Sequence, residues 1–515
     1  MEGNMRRLLI VLVGLSVMLL LMAAGQPEEE GEIADVDDHL IVANFDETQS
    51  MDPHAVEDTP SHWINNQIYD GLVRRTDDMG VEPALAEDWE FIDDRTVEFY
   101  LREDVTFHDG GEFTASDVKY TYQRLLDPDE NWAGASRLSM VDYENIEVVD
   151  DYTVRIPTYE PFAAILTYLA HSSSLIISES AAEEHGDNFF ENPVGTGPFM
   201  LDEWERGSAV HLRRFDDHWR GPAEVERLTF RAVPEDGNRT IELETGGVHV
   251  AQELPETDLH RLRDNENVEL FEYEALRLNY LVFNSQMEPF DNQQVRQALH
   301  YAVDHEELAE VAFGDLGSPA QGFMNSSIFG FNPDVYMYPR DMERAEELLD
   351  EAGYGDGFEM TISINDDDER QTMAEILASQ WRELGIDVSI EVMEWGAFLD
   401  YTAAGNHDFG MLAWLASTGD PHHALYSNAH SSNIGAANRA HIDNAEIDEL
   451  LEQGQNEPDQ DRRAEIYGEV QELLSDYAAW IPIADDREAV GIQSNVTGFR
   501  HSPSGYHMFH EVGLE

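Results

Sequence analysis

Between residues 291 and 416 the hydrophobic period of the sequence changes several times, and those changes leave few folds open. "DNQQVRQALHYAV" places Val295, Ala298, Leu299 and Ala302 on one helical face. Asp304 can cap a further helix, with Glu307 at its third position. "MERAEELLDEAGY" reads as a helix that stops at Gly353, a residue suited to the left-handed position after a helix. "FEMTISI" then reads as a strand, "RQTMAEILASQWRELG" as a helix closed by Gly385, and "IDVSIEVM" and "DFGMLAWLA" as strands. Strand–helix–strand units of this size predict a mostly parallel sheet covered by helices. Before about residue 240 the alternation is less regular, so the 515 residues read as at least two α/β lobes.

One unit of the first half is legible in detail. In "TVEFYLR", Val97, Phe99 and Leu101 alternate with Glu98, Tyr100 and Arg102, which is strand patterning. "HDGG" is turn chemistry, because Asp109 precedes Gly110. Thr114 then caps a helix with Asp117 at its third position, and Val118, Thr121, Tyr122 and Leu125 form the apolar face. His108, Asp109 and Glu112 lie close together, as a catalytic acid and base would, but Asp109–Gly110 reads as a turn and Glu112 leads into the helix cap.

The charge balance narrows function. The chain carries 106 acidic and 30 basic residues, a formal net charge of −76, and Lys119 is its single lysine. Such a charge repels itself in dilute buffer, and concentrated salt screens it, the Debye length falling to about 3 Å at about 1 M. The expectation is a protein of a high-salt environment. No basic stripe is present to neutralise phosphates, so nucleic-acid binding is not expected. With no cysteine there can be no disulfide, thiol nucleophile or Cys-ligated metal. Arg6 and Arg7 precede the apolar run Leu8–Met22, and small residues follow, which predicts a signal peptide over 1–25. Gln26 stands where a lipoprotein would carry its modified Cys, so no thioether lipid is expected. Residues 26–37 read as an acidic linker.

No G-x-S-x-G elbow, H-E-x-x-H pair or P-loop occurs, so an enzyme is not expected and no cofactor is implied. A secreted hydrolase is the alternative class. "VGTGPF" (194–199) has glycines, but its flanking prolines argue for a tight turn over a phosphate cradle. "DPHHALYSNAH" gathers His422, His423 and His430, residues that suit a metal or that replace scarce surface cations. Trp63, Trp395 and Trp414 fall at ends of elements or in loops, where aromatic rings can serve a ligand. Arg370 opens a helix just after a strand, at the kind of strand end where open α/β sheets bind ligands, and its guanidinium suits a carboxylate.

The stretch "LAEDWEFIDDRTVEFYLREDVTFHDGGEFTASDVKYTYQRLLDP" (85–128) resembles the signature of the family 5 solute-binding proteins of ABC importers, the peptide, nickel and glutathione class. "QIYDGLV" (67–73), "NPVGTGPFML" (192–201), "NYLVFNSQMEPFDNQQVRQALHYAVDHEEL" (279–308), "RAEELLDEAGY" (344–354), "LGIDVSIEVMEWGAFL" (384–399) and "NAEIDELL" (444–451) agree with it in order. The resemblance covers about residues 40–510. It implies an α/β fold of the type II periplasmic-binding-protein kind, two lobes with a hinge and an extra subdomain. It places the first lobe at 38–66, 190–270 and 486–515, its subdomain at 67–189, and the second lobe at 271–485. The hinge then crosses near Arg277 and Ile483.

The same resemblance implies a monomer that is exported to the periplasmic or extracellular side of the membrane. Its partners are then a small peptide-like ligand and the permease subunits of an ABC importer. It makes "HDGG" a scaffold loop, and it leaves nickel-chelate and oligosaccharide binders as alternatives of the same fold. In peptide binders of the family an Asp three residues after a Trp clamps the ligand's ammonium; counted from Trp414, that position is Ser417 here. "W-x-x-S-T-G-D" (414–420) instead resembles the glutathione-binding branch. The expected ligand-binding set is therefore Asp58, Thr59, Trp63, Arg370, Trp395, Trp414, Ser417, Thr418 and Asp420, with no metal site.

Overall fold

Two long strands organise the molecule. Val268–Phe283 and Trp480–Gln493 run antiparallel side by side, and their register shifts between Glu274 and Leu278. They form the middle of an eleven-stranded sheet in the computed structural model, which describes residues 38–77 and 79–515. The signal peptide and linker expected from the sequence lie outside the described residues.

On one side of the long pair the sheet continues through Phe409–Leu415, Glu359–Asn365 and Asp387–Met393. On the other it continues through Val250–Ala251, His39–Asn44, Arg227–Ala232, Ala209–Arg214 and Phe199–Glu205. Gly317–Pro319 pairs with the second long strand. The sheet is mixed, which corrects the mostly parallel expectation. Parallel pairing joins Glu359–Asn365 to both its neighbours and His39–Asn44 to both of its own. The long strands pair antiparallel with each other, and each also has an antiparallel outer neighbour.

Local chemistry explains the elements. Asp304 accepts a hydrogen bond from the Glu307 backbone (3.1 Å) and starts helix His305–Phe313. Helix Met342–Ala352 stops at Gly353, whose φ of +87° favours glycine. The helices Gln293–Tyr301, His305–Phe313, Met342–Ala352 and Asp368–Arg382 bury one apolar core on the sheet, with Trp381, Phe283 and Phe409 at its centre. Burying a side chain of that size stabilises by about 1.5–3 kcal/mol. Residues 40–69, 175–250 and 490–512 supply a second core, and residues 72–176 a third.

The third core carries a separate antiparallel sheet of Ala86–Phe91, Thr96–Leu101, Thr153–Pro157 and Glu147–Asp150. Helix Ala115–Leu126 covers it, opened by the Thr114–Asp117 capping box. The "HDGG" loop pins two segments together. The His108 backbone N–H donates to the Gly195 carbonyl (2.9 Å), and His108 Nε2 donates to the Gly197 carbonyl (2.9 Å). Asp109 accepts from the Gly111 N–H (2.9 Å) within its own turn.

Candidate functional site

The loop that follows strand Phe409–Leu415 is held by its own backbone. The Ala416 N–H donates to the Leu276 carbonyl (2.8 Å), and the Gly419 N–H to that of Ala416 (2.7 Å). Ser417, Thr418 and Asp420 are thereby carried to a junction with residues 57–62, 137 and 167–173. There Arg137 links three distant segments. Its Nη1 donates to Ser417 Oγ (2.8 Å), its Nη2 donates to Glu57 Oε2 (2.5 Å), and Glu57 Oε1 accepts from Ser173 Oγ (2.7 Å). Trp414 closes one flank: its ring lies 5.4 Å from that of His423, and its Nε1–H donates to the His423 carbonyl (2.9 Å). On the other flank His62 packs edge-on against His171 and Tyr506, each at 5.6 Å.

Several buried polar atoms at this junction have no partner among the described residues: Arg137 Nε, both ring nitrogens of His62, Thr418 Oγ1 and His423 Nδ1. Burial is the largest influence on both imidazoles and lowers His62 to about 4 and His423 to about 3, so both are neutral at pH 7. The fixed charges at the junction are then Arg137, Glu57 and Asp58. An acid and a base held side by side in this way can orient a zwitterion.

Four of the expected site residues are already engaged within the protein. Asp420 is 2% exposed and forms a bidentate ion pair with Arg463 (2.6 and 2.8 Å). It also accepts from Thr167 Oγ1 and the His422 N–H. Burial raises the Asp420 pKa, but the Arg463 guanidinium outweighs it and holds the carboxyl at about 2. Its charge is thus matched within the protein. Trp63 is 2% exposed in the middle of helix Thr59–Ile68, and its Nε1–H donates to the Gly505 carbonyl (2.6 Å), so it belongs to a core. Asp58 caps that helix by accepting from the Ser61 N–H (2.9 Å), and Thr59 is the helix's first residue. Both serve the helix start that brings Glu57 to Arg137.

Arg370 and Trp395 come together elsewhere, the guanidinium 5.4 Å from the ring centroid, with Arg370 donating to Asn365 Oδ1. Among the described residues no hydrogen bond joins either to Arg137 or Ser417. The helix begins two residues before the start expected at Arg370, which is the third residue of Asp368–Arg382 and donates its N–H to the cap Asp367 (2.9 Å).

Sequence reasoning missed Glu57, Arg137, His62 and Ser173, and it marked His423 only as part of a histidine-rich stretch. No local pattern marks the junction, because it forms only through tertiary contact. The histidines do not replace surface cations: among the described residues only His260 is exposed. His422, Tyr426 and His430 instead stack in a ladder at 4.7 and 4.4 Å. No group of three or more His, Cys, Asp or Glu among the described residues is placed to hold a metal ion.

Over residues 80–436 the sequence matches the family described as bacterial extracellular solute-binding proteins, family 5. The chain belongs to this family. Family 5 proteins are solute-binding proteins of ABC transporters; they bind peptide-like ligands outside the cytoplasm and work with membrane permease subunits. This family 5 chain is 31% identical over 487 residues to heme-binding protein A of Haemophilus influenzae, covering 89% of each. It is 31% identical over 489 residues to the glutathione-binding protein GsiB of Salmonella paratyphi A, covering 92% of this chain and 94% of the relative. The solved structure of HbpA2 from Haemophilus parasuis superposes with a TM-score of 0.87 at 28% identity, over 93% of this chain and 100% of that one. The binding protein DppA of Helicobacter pylori, solved with the peptide STSA, gives 0.76 at 27% identity, over 93% and 99%. The α/β fold of periplasmic binding proteins is thus the fold of this chain.

Proposed function

We propose that this protein takes a γ-linked or otherwise modified peptide such as glutathione between its two lobes and presents it to an ABC importer. The observation that carries this reading is the Glu57–Arg137–Ser417 junction. Glu57 and Arg137 neutralise each other, and a bound zwitterion exchanges with that pair: its ammonium meets Glu57 and its carboxylate meets Arg137, both charge-assisted contacts. Thr418 Oγ1, His423 Nδ1 and the His62 ring supply further polar groups that lack partners. Asp420 is locked to Arg463, so the loop after Trp414 offers no free carboxylate for the ammonium of an ordinary dipeptide.

In this reading the lobes are those of the sequence partition, 38–66, 190–270 and 486–515 against 271–485, with 67–189 as the subdomain of the first. Closure pivots where the long strands lose register, between Glu274 and Leu278, opposite Asp485. Asn325, 1% exposed, donates there to the Ala275 carbonyl (2.9 Å) and to Asp485 Oδ1 (3.2 Å), tying the two crossings together.

Thermal melts in about 2 M NaCl with glutathione, Ala-Ala, hemin and a nickel–histidine chelate test the ligand. Glutathione should raise the melting temperature most, because saturation at about 100 times Kd adds about 2.7 kcal/mol. A larger shift with Ala-Ala restores the ordinary dipeptide reading, and a shift with hemin alone replaces the peptide reading altogether.

A further inference from the structure

A second space lies beside that junction and draws nothing from residues 271–485. It is a cavity of about 440 Å³ between the hairpin that starts at Val73 and the C-terminal segment 498–511. Four of its lining residues hold a buried nitrogen with no partner among the described residues: Arg74 Nε, Arg220 Nε, His171 Nε2 and His510 Nδ1. Buried polar groups are normally hydrogen-bonded, so four around one cavity need an explanation.

Their protonation can be assigned. His171 Nδ1 accepts from the Ser173 N–H (3.1 Å), so its Nε2 carries the proton and is a donor. His510 Nε2 donates to the Gly221 carbonyl (3.0 Å), so its Nδ1 is an acceptor. The cavity thus offers three unused N–H donors and one unused acceptor. Its acids are engaged. Glu82 pairs with Arg74 Nη2 (2.7 Å), Asp70 accepts from Thr196 Oγ1 and Trp219 Nε1, and Asp77 and Glu511 hold Arg500 at the rim. Among the described residues Arg220 has no carboxylate within ion-pair distance; its guanidinium lies 5.3 Å from the Trp219 ring centroid. Burial is the largest influence on it and lowers its pKa, as for a cation whose counter-charge is not in contact.

We propose that this cavity is a second binding site, for a small amino or hydroxy carboxylate, with Arg220 as its principal anchor. The carboxylate accepts from Arg220 and Arg74, and the ligand's ammonium or hydroxyl donates to His510 Nδ1. A guanidinium offers carboxylates a fork of donors, and the volume lies within the range of small-molecule sites. His171 and Tyr506 belong both to this cavity and to the wall of the interlobe junction, so the two sites are neighbours.

The test is calorimetry on the mature protein in about 2 M NaCl, titrating L-glutamate and L-malate into wild type, Arg220→Gln, Arg500→Glu and Arg137→Gln. One of the two probes should bind wild type and bind Arg220→Gln at least tenfold more weakly. Arg500→Glu, a change at an exposed rim residue that leaves the core untouched, should also weaken it several-fold. Arg137→Gln should leave it unaltered, which separates this site from the interlobe reading. No heat with either probe, or equal affinity in wild type and both cavity variants, overturns the proposal and leaves a cavity filled by water alone. Loss of binding in Arg137→Gln with none in Arg220→Gln overturns it in favour of the junction.

Discussion

Arg463 and Asp420 are 1% and 2% exposed, and each is the other's counter-ion. Removing one partner leaves a buried charge, and that is the costly direction for such a pair. Arg463→Met should destabilise the protein by about 3–5 kcal/mol, measured by denaturant unfolding in concentrated salt. The pair has a pH signature of fixed sign. The Asp420 carboxyl is held at about 2, below its ordinary value of 3.8, so its contribution is present above that value and is lost as pH falls from about 4 to about 2. Asp420 was legible as the charged residue of its loop, but its partner lies 43 positions away, a distance that no local pattern spans. Ser417 was legible as a neutral group in the clamp position; that it accepts from Arg137, 280 positions away, was not.

Elements whose signals are local were legible nearly to the residue: the Thr114–Asp117 box, the Asp304 cap, and the stops at Gly353 and Gly385. The mixed sheet was not, because Val268–Phe283 and Trp480–Gln493 pair across about 200 residues and leave no periodicity in either strand. The "VGTGPF" turn shows what its glycines are for. A Cβ on Gly195 would stand 2.2 Å from the Ile68 carbonyl oxygen, and one on Gly197 would stand 2.6 Å from that of Gln67. Gly197→Ala should therefore destabilise by about 1–3 kcal/mol, with a matching fall in denaturation midpoint; an unchanged midpoint would show that the contact yields freely. The register shift makes a second prediction at this scale. Amides of Ala275–Arg277 should exchange hydrogen faster than those of Leu270–Tyr273 and Tyr280–Val282 on either side. Ligand should slow the exchange at the shift, and uniform protection along the strand would place the pivot elsewhere.

Over the whole molecule two kinds of charge act in opposite places. The excess of acids over bases gives the chain a formal net charge of −76, so the melting temperature should rise substantially between about 0.1 M and about 2 M NaCl as screening improves. A flat or falling response removes the high-salt reading. Inside, burial is the largest influence on a set of neutral histidines: it lowers His54, His108, His407 and His422, like His62, to about 4, and His300 and His507, like His423, to about 3. The unfolded chain binds protons on these rings near their ordinary value of 6.5, and the folded chain does not. Stability should therefore fall as pH drops from about 6.5 towards 4, with a loss in melting temperature on the order of 10 °C by about pH 5. The proposed function at this scale is a peptide-like ligand held where the lobes meet. Calorimetric titration of glutathione into wild type, Glu57→Gln and Arg137→Gln in about 2 M NaCl probes that junction directly. Both variants should fold with wild-type circular dichroism and bind at least tenfold more weakly. Wild-type affinity in both would contradict a ligand bound at the Glu57–Arg137–Ser417 junction.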